Sequence, residues 1–283
     1  MMNISVVIPY NKNKLGLISN LINLQNQSVL PKKIVIIDTS TDKSGYEIAR
    51  TVSYHEVEIV VDVSPVQIYT AWNIGISHCD ITNHILIIND DVILPIDFIA
   101  VMQYTAEKNR ALVYVPETVS REHRSDIISM NLTHQSKGPI YFEPTDWMSG
   151  FVFMLSPKAI EKVGRFNDEK YTVWFGDTDY EKRVLLWGQQ NHQPSLIKVK
   201  GTFVYHYGGM SYAYEEQRVL DAISDDRKGH EGYHAEFLAD EPKVKNYVCT
   251  FCGEVFGKPI LLGIHARKTG HKKPKHGTQS QKN

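Results

Sequence analysis

Cysteine is scarce in this 283-residue chain: Cys79, Cys249 and Cys252 are the only three. That is too few for a disulfide framework and fits a reducing compartment. Long apolar runs are missing as well. No stretch approaches the roughly 18 residues that cross a bilayer, and Met1-Met2-Asn3 lacks the charged start and cleavage site of a signal peptide. The expectation is a cytoplasmic protein with no membrane span. Internal repeats and low-complexity stretches are absent before the last forty or so residues, which argues against a solenoid or an array. Net charge is also nearly absent, 31 Lys and Arg facing 32 Asp and Glu. The near-zero sum hides a split. Residues 241–283 hold nine Lys or Arg against Glu241 and Glu254, so the tail carries +7 and the body about −8 of the total −1. Such asymmetry points to an acidic partner for the tail, or simply to a solvated basic terminus.

What is present fits one large α/β domain with a small appendage. Up to about residue 115 short β-branched runs alternate with amphipathic stretches. Residues 4–9, 33–38, 57–61, 84–89 and 111–115 read as strands, and 14–27, 46–52, 67–77 and 96–108 as helices. Periodicity fades between Pro116 and Asp146. A strand follows at 150–155, then a helix with Ser156 as N-cap, Pro157 at its first position and Gly164 at its end. A helix over about 178–187, a strand over 199–205 and a polar helix near 212–223 complete the pattern.

The most informative run is HILIINDDVILP, residues 84–95. Four successive apolar positions, Ile85 to Ile88, read as a buried strand of a parallel sheet, and such sheets bind ligands beyond the carboxyl ends of their strands. Asn89, Asp90 and Asp91 fall there, where oxygen ligands suit a hard divalent cation that also holds phosphates. Taken alone, the same run reads equally well as a polar turn capped by Asp91.

The order of the pieces resembles glycosyltransferase family 2 over about residues 3–215. SVVIPYNK is similar to the family's nucleotide loop, which implies Pro9, Tyr10 and Asn11 beside the nucleotide. IVIIDTSTD resembles the second-strand turn, one residue shorter than the usual Asp-Asp-Gly-Ser-Thr-Asp form. Asp38 and Asp42 therefore both stand open as the nucleobase or ribose ligand, with Asp38, at the strand end, favoured. TAWNIGISH resembles an Ala-Arg-Asn-X-Gly helix, keeping Asn73 and Gly75 and placing Trp72 in the Arg position. INDD corresponds to the metal motif, which implies Asp91 as the ligand of Mn2+ or Mg2+, with Asn89 and Asp90 beside the diphosphate.

SGFVFMLSPKAIEKVGRFNDEKYTVWFGDTDYEKR resembles the family's acceptor half. The resemblance implies Gly150 under the acceptor, Asp177 as the catalytic base, and Asp179 on the substrate side, replacing support lost where Gly176 stands for the usual Glu. Trp147 and Trp174 would be acceptor-stacking platforms, although as single residues they read as packing. VYHYGGMS resembles a His-X-X-Gly-X-Ser loop in which His206 reaches the metal or the diphosphate. The implied fold is GT-A, a mostly parallel central sheet flanked by helices, and the implied donor a nucleotide sugar, with the uridine-like pattern favouring UDP. With one base and no second carboxylate nucleophile in the pattern, the expected chemistry is a single inverting displacement.

The tail carries a second motif. Cys249-X2-Cys252-X12-His265-X5-His271 has the ligand spacing of a structural Zn2+ site, and Phe256 and Leu262 occupy the two apolar positions of a ββα finger. The helix positions that read bases in DNA-binding fingers fall on Lys258, Leu261 and Ile264, and two of these cannot hydrogen-bond to a base edge. Phosphate contact without sequence readout, or docking on protein, fits better. The expected organisation is a glycosyltransferase domain over 1–238, a linker over 239–245, a finger over 246–273 and a basic disordered tail over 274–283. One acceptor joins both halves: a hydroxymethylated pyrimidine in DNA, as in bacteriophage DNA modification. The alternatives are a saccharide acceptor in cell-surface polysaccharide synthesis and a non-catalytic sugar-nucleotide-binding adapter.

Overall fold

The computed structural model describes residues 2–52, 57–61, 67–119, 135–136, 139–206, 225–226, 247–248 and 255–256. The predicted helix near 212–223, the four Cys and His of the finger motif, and the linker and tail segments lie outside them. The chain divides into two compact units, 1–230 and 231–283.

Unit one opens with β1 (Ile4–Tyr10), α1 (Lys14–Gln25), β2 (Lys33–Asp38), α2 (Ser44–Val52), β3 (Val57–Val61), α3 (Ile68–Ser77) and β4 (His84–Ile88). It continues with β5 (Val92–Ile93), α4 (Phe98–Lys108), β6 (Val113–Val119), β7 (Tyr141–Pro144), β8 (Val152–Leu155), α5 (Pro157–Lys162), α6 (Gly176–Gln190) and β9 (Leu196–His206). One sheet of nine strands runs in the order β3-β2-β1-β4-β8-β6-β9-β5, with β7 on β9.

The continuous apolar runs are explained by burial on both faces. Successive side chains of a strand point to opposite sides. Val6, Ile8, Ile34, Ile36, Leu86 and Ile88 enter one core with Leu17 and Leu21 of α1 and Phe98 and Met102 of α4. Val7, Val35, Ile37, Ile85 and Ile87 enter a second core with Trp72 and Ile76 of α3 and Tyr180 and Val184 of α6.

The expectation of a mostly parallel sheet needs correction. β3, β2, β1 and β4 pair in parallel, but β8 runs antiparallel to both β4 and β6, and β5 and β7 run antiparallel to β9. The second half is therefore mixed. An apolar run gives burial and not direction, so VFML reads the same either way. β7, in the stretch where periodicity fades, is an exposed strand whose alternation is too weak to see. Among the described residues no helix is long and apolar enough to cross a membrane.

Unit two contributes a two-stranded hairpin, β10 (Tyr247–Val248) and β11 (Val255–Phe256), pairing Tyr247 with Phe256 and Val248 with Val255.

Candidate active site

The turn Asn89-Asp90-Asp91 leaves the carboxyl end of β4, where sequence reasoning put it. A polar stripe on α1 holds it there. Asn13, Asn20 and Asn23, with Gln27 just past the helix, recur at spacings that return to one helix face. Asn13 Nδ2 donates to Asp90 O at 3.0 Å, Asn20 Nδ2 to Asn89 O at 2.9 Å and Asn23 Nδ2 to Leu94 O at 2.9 Å. Gln27 Nε2 donates to Pro95 O at 2.7 Å, and its Oε1 accepts Ile99 N–H at 3.0 Å. Each amide satisfies a backbone group that a loop buried against a helix would otherwise leave unpaired. Gly16 permits the close approach, because a Cβ there would lie 1.8 Å from Asp90 O.

β5 then pairs with the end of β9, setting Val92 opposite His206. His206 Nε2 consequently lies 3.2 Å from Asp91 Oδ1. The two atoms are close enough for an ion pair, but hydrogen-bond alignment is absent, and Asp91 Oδ1 is a buried acceptor without a donor, as is Asn89 Oδ1. Burying such oxygens unpaired is costly. A cation relieves the cost, and adjacent ligands at about 2.1 Å on an octahedral ion sit about 3 Å apart, matching the imidazole and carboxylate. Among the described residues no cluster of three or more His, Cys, Asp or Glu could hold a metal. One imidazole and one carboxylate side by side are a donor set that would suit a cation completing its shell with water and phosphate, the habit of Mg2+ and Mn2+ in phosphate sites.

The segment Gly150-Phe151 links this turn to Asp177. Asn89 N–H donates to Phe151 O at 2.9 Å, and the Phe151 ring stacks on His206 with centroids 3.8 Å apart. Next to it, Gly150 faces Asp177 so closely that a Cβ would lie 2.1 Å from Asp177 Oδ2. Asp91 and Asp177, 86 positions apart in sequence, are thus linked through Gly150-Phe151, which meets Asp177 directly and Asp91 by way of His206 and Asn89. Gly150→Ala is expected to displace the Asp177 carboxylate, which a crystal structure of the variant will measure.

Asp177 stands in the first turn of α6 and accepts the Tyr69 hydroxyl on Oδ1 at 3.1 Å. Burial pushes its carboxyl above the ordinary range, partly offset by hydrogen bonds from Thr178 and Tyr69. Phe175, just before the helix, is left-handed at φ 67°, a strained conformation for a bulky residue. Asp226 anchors that turn from far along the chain. Its buried carboxylate accepts the N–H groups of Thr172, Val173 and Trp174 at 2.7–3.1 Å, together with the Thr172 hydroxyl.

Residues 5–167, more than half of the chain, match glycosyl transferase family 2. The chain belongs to that family. Among solved structures, it resembles S. aureus TarS at 13% identity and TM-score 0.53, over 72% of this chain and 36% of TarS. TarS 1–349 is 15% identical with TM-score 0.50, over 74% of this chain and 61% of that one. GalNAc-T7, solved with UDP, GalNAc and Mn2+, is 12% identical with TM-score 0.54, over 73% and 44%. At these identities the likeness is one of fold, and the chain spans less than two thirds of each of these proteins. No curated protein matches it significantly.

Several family positions carry different duties in this member. Asp38 is fully buried, with Oδ1 accepting from Ser40 N–H and hydroxyl and Oδ2 from Gly45 N–H. The carboxylate shapes the loop into α2, while Asp42, half exposed, pairs with Lys14 at 2.8 Å. The Asn73 amide clamps the Phe166 backbone through bonds of 2.9 and 3.0 Å. Asp179 is 4% exposed and bound to Arg183 at 2.9 Å. Arg183 also donates to Val163 O and Arg165 O, so this pair holds the 163–165 turn. The Tyr69 ring occupies the space a Gly176 side chain would need. Trp72, in the family's Arg position, packs edge-on against Tyr69, Phe153 and Phe166 in the second core.

Pro9 and Tyr10 are buried at the end of β1, where Tyr10 OH meets Ser44 Oγ at 2.6 Å, and Asn11 is half-buried beyond them. Asp90 is buried beside Asp91. Trp147 and Trp174 are both nearly half exposed, on the segments leading to Gly150 and Asp177. Sequence reasoning missed the α1 amides, Tyr69, Glu181 and Asp226. Only the amides carried a signal, their recurrence on one helix face.

Proposed function

We propose that this protein is a metal-dependent, inverting glycosyltransferase that moves a sugar from UDP to a hydroxyl acceptor. The observation that carries the reading is the pair of carboxylates joined through Gly150-Phe151: Asp91, a buried oxygen without a donor beside His206, and Asp177, raised in proton affinity beside Tyr69. A divalent cation held by Asp91 and His206 would supply neutralisation of the leaving diphosphate. Asp177 accepts the proton of the attacking hydroxyl, and Tyr69 fixes its orientation. Trp147 and Trp174 offer flat apolar faces to the acceptor. A single base on that side implies one displacement with inversion at the anomeric carbon.

The acceptor we infer is a hydroxymethylated pyrimidine in DNA, held through the cationic tail. The tail's +7 charge and its Cys249, Cys252, His265 and His271 support a Zn2+ finger that grips phosphates without reading bases. The β10–β11 hairpin adds to this, since its pairing brackets 249–254, the connection bearing both cysteines. A saccharide hydroxyl is the second reading, favoured by the acidic surroundings of the base. Asp146, Asp177 and Glu181 lie near one another and would repel a polyphosphate that the tail did not hold.

The test is incubation with Mn2+, a panel of UDP-sugars, and DNA with or without hydroxymethyl bases. Glycosylation of the hydroxymethylated DNA alone, weakening steeply between about 50 and 200 mM salt, is the expected result. Transfer to saccharides with little salt dependence would select the second reading. The absence of any metal-dependent UDP release would leave only a sugar-nucleotide-binding adapter.

A further inference from the structure

Glu181 lies four positions after Asp177, one turn along the same face of α6. Its Oε2 accepts the Met148 N–H at 2.5 Å, tying α6 to the segment that runs from Asp146 through Trp147 to Gly150. The charges around it are Asp177 and Asp146, both negative, and Lys182. Gly150, at the end of the segment it holds, is the residue against which Asp177 Oδ2 rests.

We propose that Glu181 is a positioning residue for the transfer step: through Met148 it fixes the Trp147–Gly150 segment against the base, and its charge stands one turn from Asp177 on the same face of α6. The inference rests on Asp177 being the base. Its geometric part is a chain of contacts from Glu181 to Met148, Gly150 and back to Asp177, which closes a small loop around the acceptor side. Its electrostatic part is the repulsion of two poorly solvated carboxylates one turn apart, which makes the pair hold its first proton more tightly than either would alone.

The charge is costly to the fold. Burial, with the neighbouring Asp177 and Asp146, pushes the Glu181 carboxyl from 4.5 up to about 7. Between those values the native state binds more protons than the unfolded one, so stability present at low pH is lost as pH rises through about 7. Glutamine would accept the same Met148 N–H without that loss. A residue serving only the fold gains nothing from ionising there, whereas one that adjusts a neighbouring base does.

Two variants separate the roles, since Glu181→Gln keeps the bond to Met148 and removes the charge, while Glu181→Ala removes both. The readout is UDP release from UDP-glucose, UDP-galactose and UDP-GlcNAc with Mn2+ and water as acceptor, followed from about pH 5 to about pH 9, with UDP affinity and melting temperature alongside. Wild type is expected to show a shoulder near pH 7 above the main fall in rate. Glu181→Gln should lose the shoulder, stay within about threefold of wild type at about pH 8, and melt higher there. Glu181→Ala should lose the shoulder and about tenfold or more in rate, with UDP affinity unchanged in both. A shoulder intact in Glu181→Gln, or a rate in Glu181→Ala equal to that of Glu181→Gln, would overturn the proposal. Asp177→Asn in the same assay keeps the two readings apart: if it abolishes release while the Glu181 profiles match wild type, the positioning role alone fails, and if it remains active, the base assignment fails first.

Discussion

Asp177→Asn is expected to lower metal-dependent UDP release by about 10²–10⁴-fold, the usual worth of a general base. The amide has the same shape, and its carbonyl can still accept the Tyr69 hydroxyl, so the loss is chemical and not structural. The sign of the pH dependence follows from burial. A carboxyl raised above its ordinary 3.8 is ionised only at higher pH, so the wild-type rate falls as pH falls through that raised value. The same shift means that native stability is lost as pH rises through it. Asp177→Asn should therefore melt at least as high as wild type at neutral pH. Initial rates and thermal melts on one preparation check both halves, and near-wild-type turnover would remove the base assignment.

Asp91→Asn is expected to raise the Mn2+ concentration needed for UDP release by about 100-fold or more. Removing an outer partner of a metal ligand costs about 10–100-fold, and removing a proposed carboxylate ligand should exceed that. Asp91 Oδ1 is a buried acceptor with no donor, and His206 Nε2, 3.2 Å away, is not aligned to serve as one. Without cation that oxygen weakens the fold, so Asp91→Asn is expected to melt no lower than wild type in chelator, while only wild type gains stability on adding Mn2+ with UDP. A Mn2+ titration of rate and of melting temperature decides it. Equal Mn2+ dependence in both proteins would place the cation elsewhere.

Much of the first half was legible because both of its faces are buried. Side chains such as Val6 and Val7 enter opposite cores, which turns each strand into an uninterrupted apolar run ending in a polar turn. INDD stood out for that reason. Strand direction was not legible, since Val152–Leu155 pairs antiparallel to β4 through the same apolar side chains a parallel strand would show.

Motif order was legible where the partners of each motif side chain were not. Asp38, Asn73 and Asp179 all hold family positions, yet each spends its side chain inside the protein, on Gly45, Phe166 and Arg183 respectively. Spacing locates a residue along a strand or helix but not the neighbours that will claim its oxygens. The supporting residues were hidden for the opposite reason. Asp226 binds a turn 52–54 positions earlier, and Glu181 looks like any surface Glu of a polar helix until Met148 is folded against it. The α1 amides were partly legible, because Asn13, Asn20, Asn23 and Gln27 recur on one face; what they hold depends on the 89–99 segment folding back over the helix.

The central claim is that Asp91 and Asp177 act on one reaction from a shared site. Anomalous diffraction from crystals grown with UDP and Mn2+ tests it most directly. The account predicts a single Mn2+ peak in the glycosyltransferase body, within bonding distance of the Asp91 carboxylate and the UDP diphosphate, with Asp177 facing the side from which an acceptor would approach. A peak bound to other side chains, or a diphosphate turned away from Asp177, would contradict it.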